Sequence, residues 1–315
     1  MWNMDRRTFL RISTSTAVAA GLGSIGCSTI TAKENTPPLF PEDICEPSDG
    51  IHIRFLGTGA ADWNGKDERG ELRRFSSLLI DGRTLIDLTP DNLEMMPKGC
   101  RPHTIFYTHS HGDHYNPAAA LQAGVTRVYL SETWLDIARK DFAKAAVETG
   151  IEMPAIIGVA IGKKYPSGNL SFMPLPANHS TQIDEEQTLI WLVENEHTGT
   201  RLLYATDTGG IMSVAIRNID KPQNGVSPLT GIIMESTMGI QGDSDFRLFT
   251  HSGIKTVQRT VDVLTSTGRY KPRDEKQPVF LTHMARTLHG TQAELDSQLP
   301  SPLCAAYDGM EYQFK

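Results

Sequence analysis

Cysteine is scarce: Cys27, Cys45, Cys100 and Cys304 are the four in 315 residues, and none forms a C-x-x-C pair. That spacing excludes a thiolate framework for structural zinc and allows one disulfide among the last three. No apolar run reaches the ~20 residues a helix needs to cross a bilayer, which excludes a polytopic membrane protein. Positive charge is not in surplus, since 30 Lys and Arg face 37 Asp and Glu for a net −7. A broad cationic face for a nucleic-acid backbone is therefore disfavoured. No short-period repeat is visible, and no Gly-x-Ser-x-Gly elbow marks a serine nucleophile. With 39% hydrophobic and 21% charged residues, the chain is long enough to fold as one large domain or two small ones.

The first thirty residues read differently. Asp5-Arg6-Arg7-Thr8-Phe9-Leu10-Arg11 precedes a small, mildly apolar stretch over Ile12–Ile25. A basic start, a short apolar run and small residues near its end make an export signal. The Arg6-Arg7 pair resembles a twin-arginine signal over 1–30, which makes the twin-arginine export machinery the expected partner and the periplasm the expected location. That route carries proteins already folded, so a tightly held cofactor loaded in the cytoplasm is expected. Ser24-Ile25-Gly26-Cys27 resembles a lipoprotein box, with Ser24 where such boxes prefer Leu, and makes Cys27 a candidate lipid anchor. Residues 31–50, rich in Pro, Thr and Glu, read as a tether. Without residues 1–30 the chain keeps 27 Lys and Arg against 36 Asp and Glu, a net −9.

From Ile51 onward, strands dominate and helices punctuate. Ile51–Leu56 reads as a strand, and Ser76–Ile80 with Thr84–Ile86 reads as a hairpin across Asp81-Gly82. Thr104–Thr108 is a short buried strand. Pro117–Ala123 and Glu132–Thr149 read as helices, the second with Trp134, Ile137, Ala138, Phe142 and Ala145 on one face. Strands follow near 155–160, 170–175, 188–194, 201–206 and 231–234, then a helix over Gly253–Leu264. Val279–Thr282 is a strand, Gln292–Gln298 a helix, and Ala305–Phe314 a last hairpin around Asp308-Gly309. Residues 51–315 therefore predict an α/β sandwich of two mixed sheets with outer helices.

The chemistry concentrates in His109-Ser110-His111-Gly112-Asp113-His114. Four metal donors fall within six residues, directly after an apolar strand. A strand end followed by a Gly-containing loop can turn His109 and His111 to one point, and Asp113 and His114 to a second. Imidazole and carboxylate suit zinc, manganese or iron(II). The chain has ten histidines, so three of them flanking one Asp in six positions is not a chance loop.

His-x-His-x-Asp-His resembles the metallo-β-lactamase-fold hydrolases, whose four-layer αββα sandwich is the architecture the resemblance implies. Later strand ends recur in the order of that superfamily: His179 after Pro176-Ala177-Asn178, Asp207 after Tyr204-Ala205-Thr206, and His283 after Phe280-Leu281-Thr282. By this resemblance His109, His111 and His179 would hold one divalent cation, zinc by preference. Asp113, His114 and His283 would hold a second, and Asp207 would bridge them. Two cations ~3.5–4 Å apart acidify a shared water and need no covalent nucleophile, so Ser110 is a loop residue. A carboxylate at Asp207, where thiolate-using zinc β-lactamases carry cysteine, argues against that antibiotic-degrading subgroup.

Phe55-Leu56-Gly57-Thr58-Gly59, Arg73-Arg74-Phe75-Ser76-Ser77, Leu85-Ile86-Asp87 and Met234-Glu235-Ser236-Thr237 followed by His251 resemble the phosphodiesterase and tRNA-endonuclease branch. Gly57-Thr58-Gly59 is no dinucleotide fingerprint and is expected to let backbone approach the metal loop. The resemblance makes Asp113 and His251 the catalytic candidates. His251 either protonates the leaving group and binds phosphate or caps its own helix. Glu235 either orients His251 or sits in a surface turn, Asp87 either fixes a ligand histidine or is a buried turn residue, and His289 lines the pocket. His52, His103 and His197 read as structural or surface residues. The expected activity is exported phosphodiester hydrolysis of a small molecule, with no nucleic-acid partner. A lactonase or other C–O/C–N hydrolase on the same metals is the alternative, as is a non-hydrolytic carrier similar to an accessory protein of pyrroloquinoline-quinone synthesis.

Overall fold

A computed structural model describes residues 48–219, 227–240 and 246–315. The expected export signal over 1–30, Cys27, Cys45 and all but the last three residues of the tether lie outside the described residues.

Strands β1 (Ile51–Gly57), β2 (Ser77–Ile80), β3 (Thr84–Ile86) and β4 (Thr104–Phe106) lead to helix α1 (Pro117–Ala123). Then come β5 (Arg127–Ser131), α2 (Leu135–Thr149), β6 (Ala155–Val159), β7 (Tyr165–Ser167), β8 (Leu170–Pro176), β9 (Leu189–Asn195) and β10 (Thr200–Ala205). The rest is α3 (Ser213–Ile219), β11 (Gly231–Glu235), α4 (Ile254–Ser266), β12 (Val279–Thr282), α5 (Gln292–Gln298), β13 (Leu303–Ala305) and β14 (Glu311–Phe314).

The strands form two seven-stranded sheets, ordered β14-β1-β2-β3-β4-β5-β6 and β13-β12-β11-β10-β9-β8-β7. Their inner faces share a core in which Phe106 stacks on Tyr129 of its own sheet at 4.6 Å and on Phe172 of the other at 4.1 Å between ring centroids. Each such buried ring contributes about 1.5–3 kcal/mol. Helices α1 and α2 cover one outer face, where Ala138, Phe142 and Ala145 of α2 are buried. Helix α4 helps cover the other with Ile254, Val257, Val261 and Leu264, spaced three or four apart on one stripe. The result is the expected αββα sandwich.

Direction places the site. β3, β4, β5 and β6 run parallel, as do β10, β11, β12 and β13. Parallel α/β sheets carry their chemistry beyond the carboxyl ends of the strands. α1, held by the Asn116 side chain accepting from Ala119 N at 2.9 Å and closed by left-handed Gly124, anchors the far end of the 109–116 loop.

Three expectations need correction. Ala305–Phe314 is not a hairpin, because β13 pairs with β12 in one sheet and β14 with β1 in the other. The Asp308 carboxylate accepts from Thr58 Oγ1 at 2.8 Å and Arg74 N at 2.7 Å, so the turn is tied to the first sheet and carries the chain across. Ile137 is 43% exposed, because the buried stripe of α2 starts one residue later, after a 3-10 turn over Glu132–Trp134. The backbone of Gly57-Thr58-Gly59 approaches not the 109–114 loop but the strand end that carries His283: Met284 N donates to Thr58 O at 2.9 Å and Ala60 N to Met284 O at 3.1 Å. A Cβ on Gly57 would stand 2.0 Å from Phe75 O, so no other residue fits there. Cys100 and Cys304 are both free.

Candidate metal centre

Six strand ends deliver the side chains. β3 leads into Asp87, β4 into His109, β8 into His179, β10 into Asp207, β11 ends in Glu235, and β12 leads into His283. Asp87, Asp207 and His283 have left-handed backbones, with φ of 55°, 46° and 51°. For a residue with a Cβ this conformation is uncommon and costs of order 1–3 kcal/mol, and it clusters at functional sites.

The first donor set is His109, His111 and His179. His109 Nε2 lies 3.0 Å from His111 Nδ1, which lies 3.3 Å from His179 Nε2. The outer nitrogens fix the tautomers. His179 Nδ1 lies 3.2 Å from the Thr250 carbonyl, which can only accept, so the ring donates there. Thr108 Oγ1 donates to Asp87 Oδ2 at 2.7 Å and accepts from His109 Nδ1 at 2.9 Å. Both rings therefore turn a bare lone pair inward. Burial also holds His109 and His179 below the usual histidine range.

The second set is Asp113, His114, Asp207 and His283. His114 Nε2 is 3.2 Å from His283 Nε2, 3.3 Å from Asp113 Oδ2 and 2.6 Å from Asp207 Oδ2. His114 Nδ1 donates to Asp87 Oδ2 at 2.7 Å. His283 Nδ1 lies 2.8 Å from Thr237 Oγ1, whose own proton goes to Glu235. Burial would lower His114, but Asp113, Asp207 and Asp87 outweigh it and push it well above the usual range. Burial would raise Asp207, yet the charges of His283 and then His114 hold it well below a normal carboxylate. This surrounding demands positive charge.

Asp207 faces both sets, with Oδ2 3.4 Å from His109 Nε2 and 3.3 Å from His283 Nε2. Its Oδ1 is buried without a hydrogen-bond donor, because His251 Nδ1, 3.2 Å away, directs its hydrogen at Glu235. Donors ~2.0–2.1 Å from one zinc at tetrahedral angles stand about 3.3–3.4 Å apart, close to the spacings here. Converging lone pairs, a carboxylate oxygen without a donor and an all-nitrogen-and-oxygen donor set fit two divalent cations.

His251 does not cap α4, whose first turn follows Gly253. Its Nδ1 lies 3.3 and 3.2 Å from the two Glu235 oxygens. Burial would lower it, but the Glu235 charge and the contact with Asp207 push it up to about 10. Glu235 is fully buried and is not in a surface turn. His251, Arg247, Asp62, Asp113 and His283 line a cavity of about 210 Å³ over the donor sets. His289 is not among its lining residues; it is buried and donates from Nε2 to Ser236 O at 2.8 Å. Residue type alone did not mark Thr108, Thr237, Glu186 or Arg247, though each touches the site or its ligands.

The strand-end cluster on an αββα sandwich defines a class of metal-binding proteins, and the comparisons agree. Residues 83–284 match the beta-lactamase superfamily domain, and the chain belongs to that superfamily, with the metallo-β-lactamase fold. The fold is similar to that of a new diphosphatase from the PhnP family, at 19% identity over 84% of this chain and 98% of that one, with a TM-score of 0.57. It is similar to Zn2+-bound PqqB from Methylobacterium extorquens, at 16% identity over 84% and 100% of the chains, TM-score 0.60. It is also similar to yeast PDE1, at 10% identity over 85% and 100%, TM-score 0.57. At these identities the likeness is one of fold. No curated protein sequence matches the chain.

Proposed function

We propose that this protein is an exported, metal-dependent hydrolase of a small phosphodiester. The observation that carries the reading is His251, held by buried Glu235 beside Asp207 and facing the same cavity as Arg247. His109, His111 and His179 hold one cation, Asp113, His114 and His283 the other, and Asp207 faces both. Zinc fits the donors best, and manganese or iron(II) also suit them. When bound, such a pair acidifies a water toward neutrality and stabilises negative charge on a phosphoryl oxygen.

The chain's own groups do the rest. Arg247 and the His251 imidazolium attract the anionic diester into the cavity. Glu235 accepts from His251 Nδ1 and so keeps the ring charged, and the ring gives its Nε2 proton to the departing alkoxide, a step worth ~10²–10⁴-fold. The cavity, about 210 Å³, takes a phosphodiester with small substituents. The similar fold of a diphosphatase from the PhnP family supports phosphoryl chemistry.

Residues 1–30 carry the twin-arginine signal, with Cys27 the candidate site of lipid attachment if cleavage falls just before it. Replacing Arg6 and Arg7 by Lys and fractionating cells tests the route, with retention in the cytoplasm expected. The activity is tested with bis(p-nitrophenyl) phosphate beside a lactone and a β-lactam. Turnover of the diester is expected; a lactone opened with the diester untouched would replace this reading with that of a lactonase.

A further inference from the structure

The loop between His179 and β9 touches both arms of the first donor set. Thr188 Oγ1 donates to the His179 carbonyl at 3.0 Å, and Leu189 N donates to the Thr108 carbonyl at 2.9 Å. Just before these anchors in the chain sits Glu186. Its Oε1 accepts from Ser110 N at 2.8 Å, and its Oε2 accepts from Ser110 Oγ and from Thr181 Oγ1, the latter at 2.6 Å. Ser110 is the residue between His109 and His111, and both of its donors end on a carboxylate 76 positions away.

We propose that Glu186 is a positioning residue for the first cation: it locks the Ser110 peptide, and with it the separation of His109 Nε2 and His111 Nδ1. The proposal rests on the two-cation reading above. The Ser110 peptide sets the directions in which the two flanking imidazoles leave the backbone. Metal donors must be held to within about 0.5 Å, and a loop with a glycine at 112 does not do that unaided. A carboxylate suits the task because all three of its partners are donors. Glutamine loses the charge that strengthens all three bonds, and it can keep Ser110 N only by turning its NH2 to the two hydroxyls, which must then accept instead of donate. Glu186's own bonds go to Ser110 and Thr181, and the second set joins the same loop only through His114 N donating to His111 O at 3.0 Å. The holders of that set are Asp87 for His114 and Thr237 for His283.

The test is a chelator-competition titration of purified full-length protein with zinc, repeated with cobalt(II). E186Q and S110A are each placed in two backgrounds: Asp113→Ala, which cripples the second set, and His179→Ala, which cripples the first. In the Asp113→Ala background, E186Q is expected to weaken the remaining cation about 10-fold, and in the His179→Ala background to change it less than about 2-fold. S110A, which removes one of the three bonds and leaves Glu186 in place, gives a smaller loss with the same selectivity. Equal affinity with and without E186Q in both backgrounds overturns the proposal. So does an equal loss in both, which would mean that Glu186 only stabilises the loop. Wild-type protein that holds a single cation would defeat the two-cation reading instead. Glu186 would then be judged by the same 10-fold criterion on that cation.

Discussion

Asp87 Oδ2 lies 2.7 Å from His114 Nδ1, and neither side chain has any exposed surface. Asp87 also takes Thr108 N at 2.8 Å and Thr108 Oγ1 at 2.7 Å, and Thr108 in turn holds His109. One carboxylate thus orients a histidine of each donor set. Asp87→Asn keeps the shape and the left-handed backbone, which asparagine tolerates, but removes the charge and turns an NH2 toward a group that Asp87 accepts from. Metal titration should show the second cation weakened about 10- to 100-fold, with a smaller effect on the first.

His251→Ala should leave the metal content unchanged and lower kcat by about 10²- to 10⁴-fold on a diester with an alkyl leaving group. A nitrophenolate leaves without a proton, so the loss there should be much smaller. Comparing the two substrates separates proton donation from binding. Equal losses on both would contradict that role.

Arg247→Ala should reduce kcat/KM for an anionic diester by about 10- to 100-fold, chiefly through KM, because a charge-assisted contact is lost. A neutral lactone should not register the change. Steady-state kinetics on the two substrates decide it.

Burial, with the neighbouring Arg73 charge, holds His289 down to about 4. The unfolded chain has the ordinary value near 6.5, so below that pH it takes up the proton first. The folded state therefore loses stability as pH falls from about 6.5 to 4, by up to about 3 kcal/mol, and gains nothing from this group above that window. Denaturant melts of metal-free protein at stepped pH should show a slope in the wild type that is shallower in His289→Gln, the buried His109 and His179 contributing the remainder.

The donors were legible because they are grouped or ordered. His109 to His114 fall in six residues, and His179, Asp207 and His283 each follow an apolar strand. Of their holders, Asp87 was legible from Leu85-Ile86-Asp87, but Thr237 and Glu186 were not. Thr237 reaches His283 across 46 positions and Glu186 reaches Ser110 across 76, and no local pattern marks a lone Thr or Glu for such a task. β5 shows no alternation to mark it, because every residue from Arg127 to Ser131 is buried. The Asp308-Gly309 turn signalled a reversal of direction, but turn chemistry does not say which sheet receives the returning strand. Asp308 settled that through contacts with Thr58 and Arg74, some 250 and 234 positions away.

The left-handed hooks at Asp87, Asp207 and His283 bear on how this rim can change over generations. At such a bend a β-branched or bulky newcomer is penalised by the main chain before its chemistry is tried, whereas Asp, Asn, His and Gly are tolerated. Three corners of the centre therefore draw their replacements from a short alphabet that already favours ligands. Drift there can retune which cation is preferred more readily than it can erase the ability to grip one.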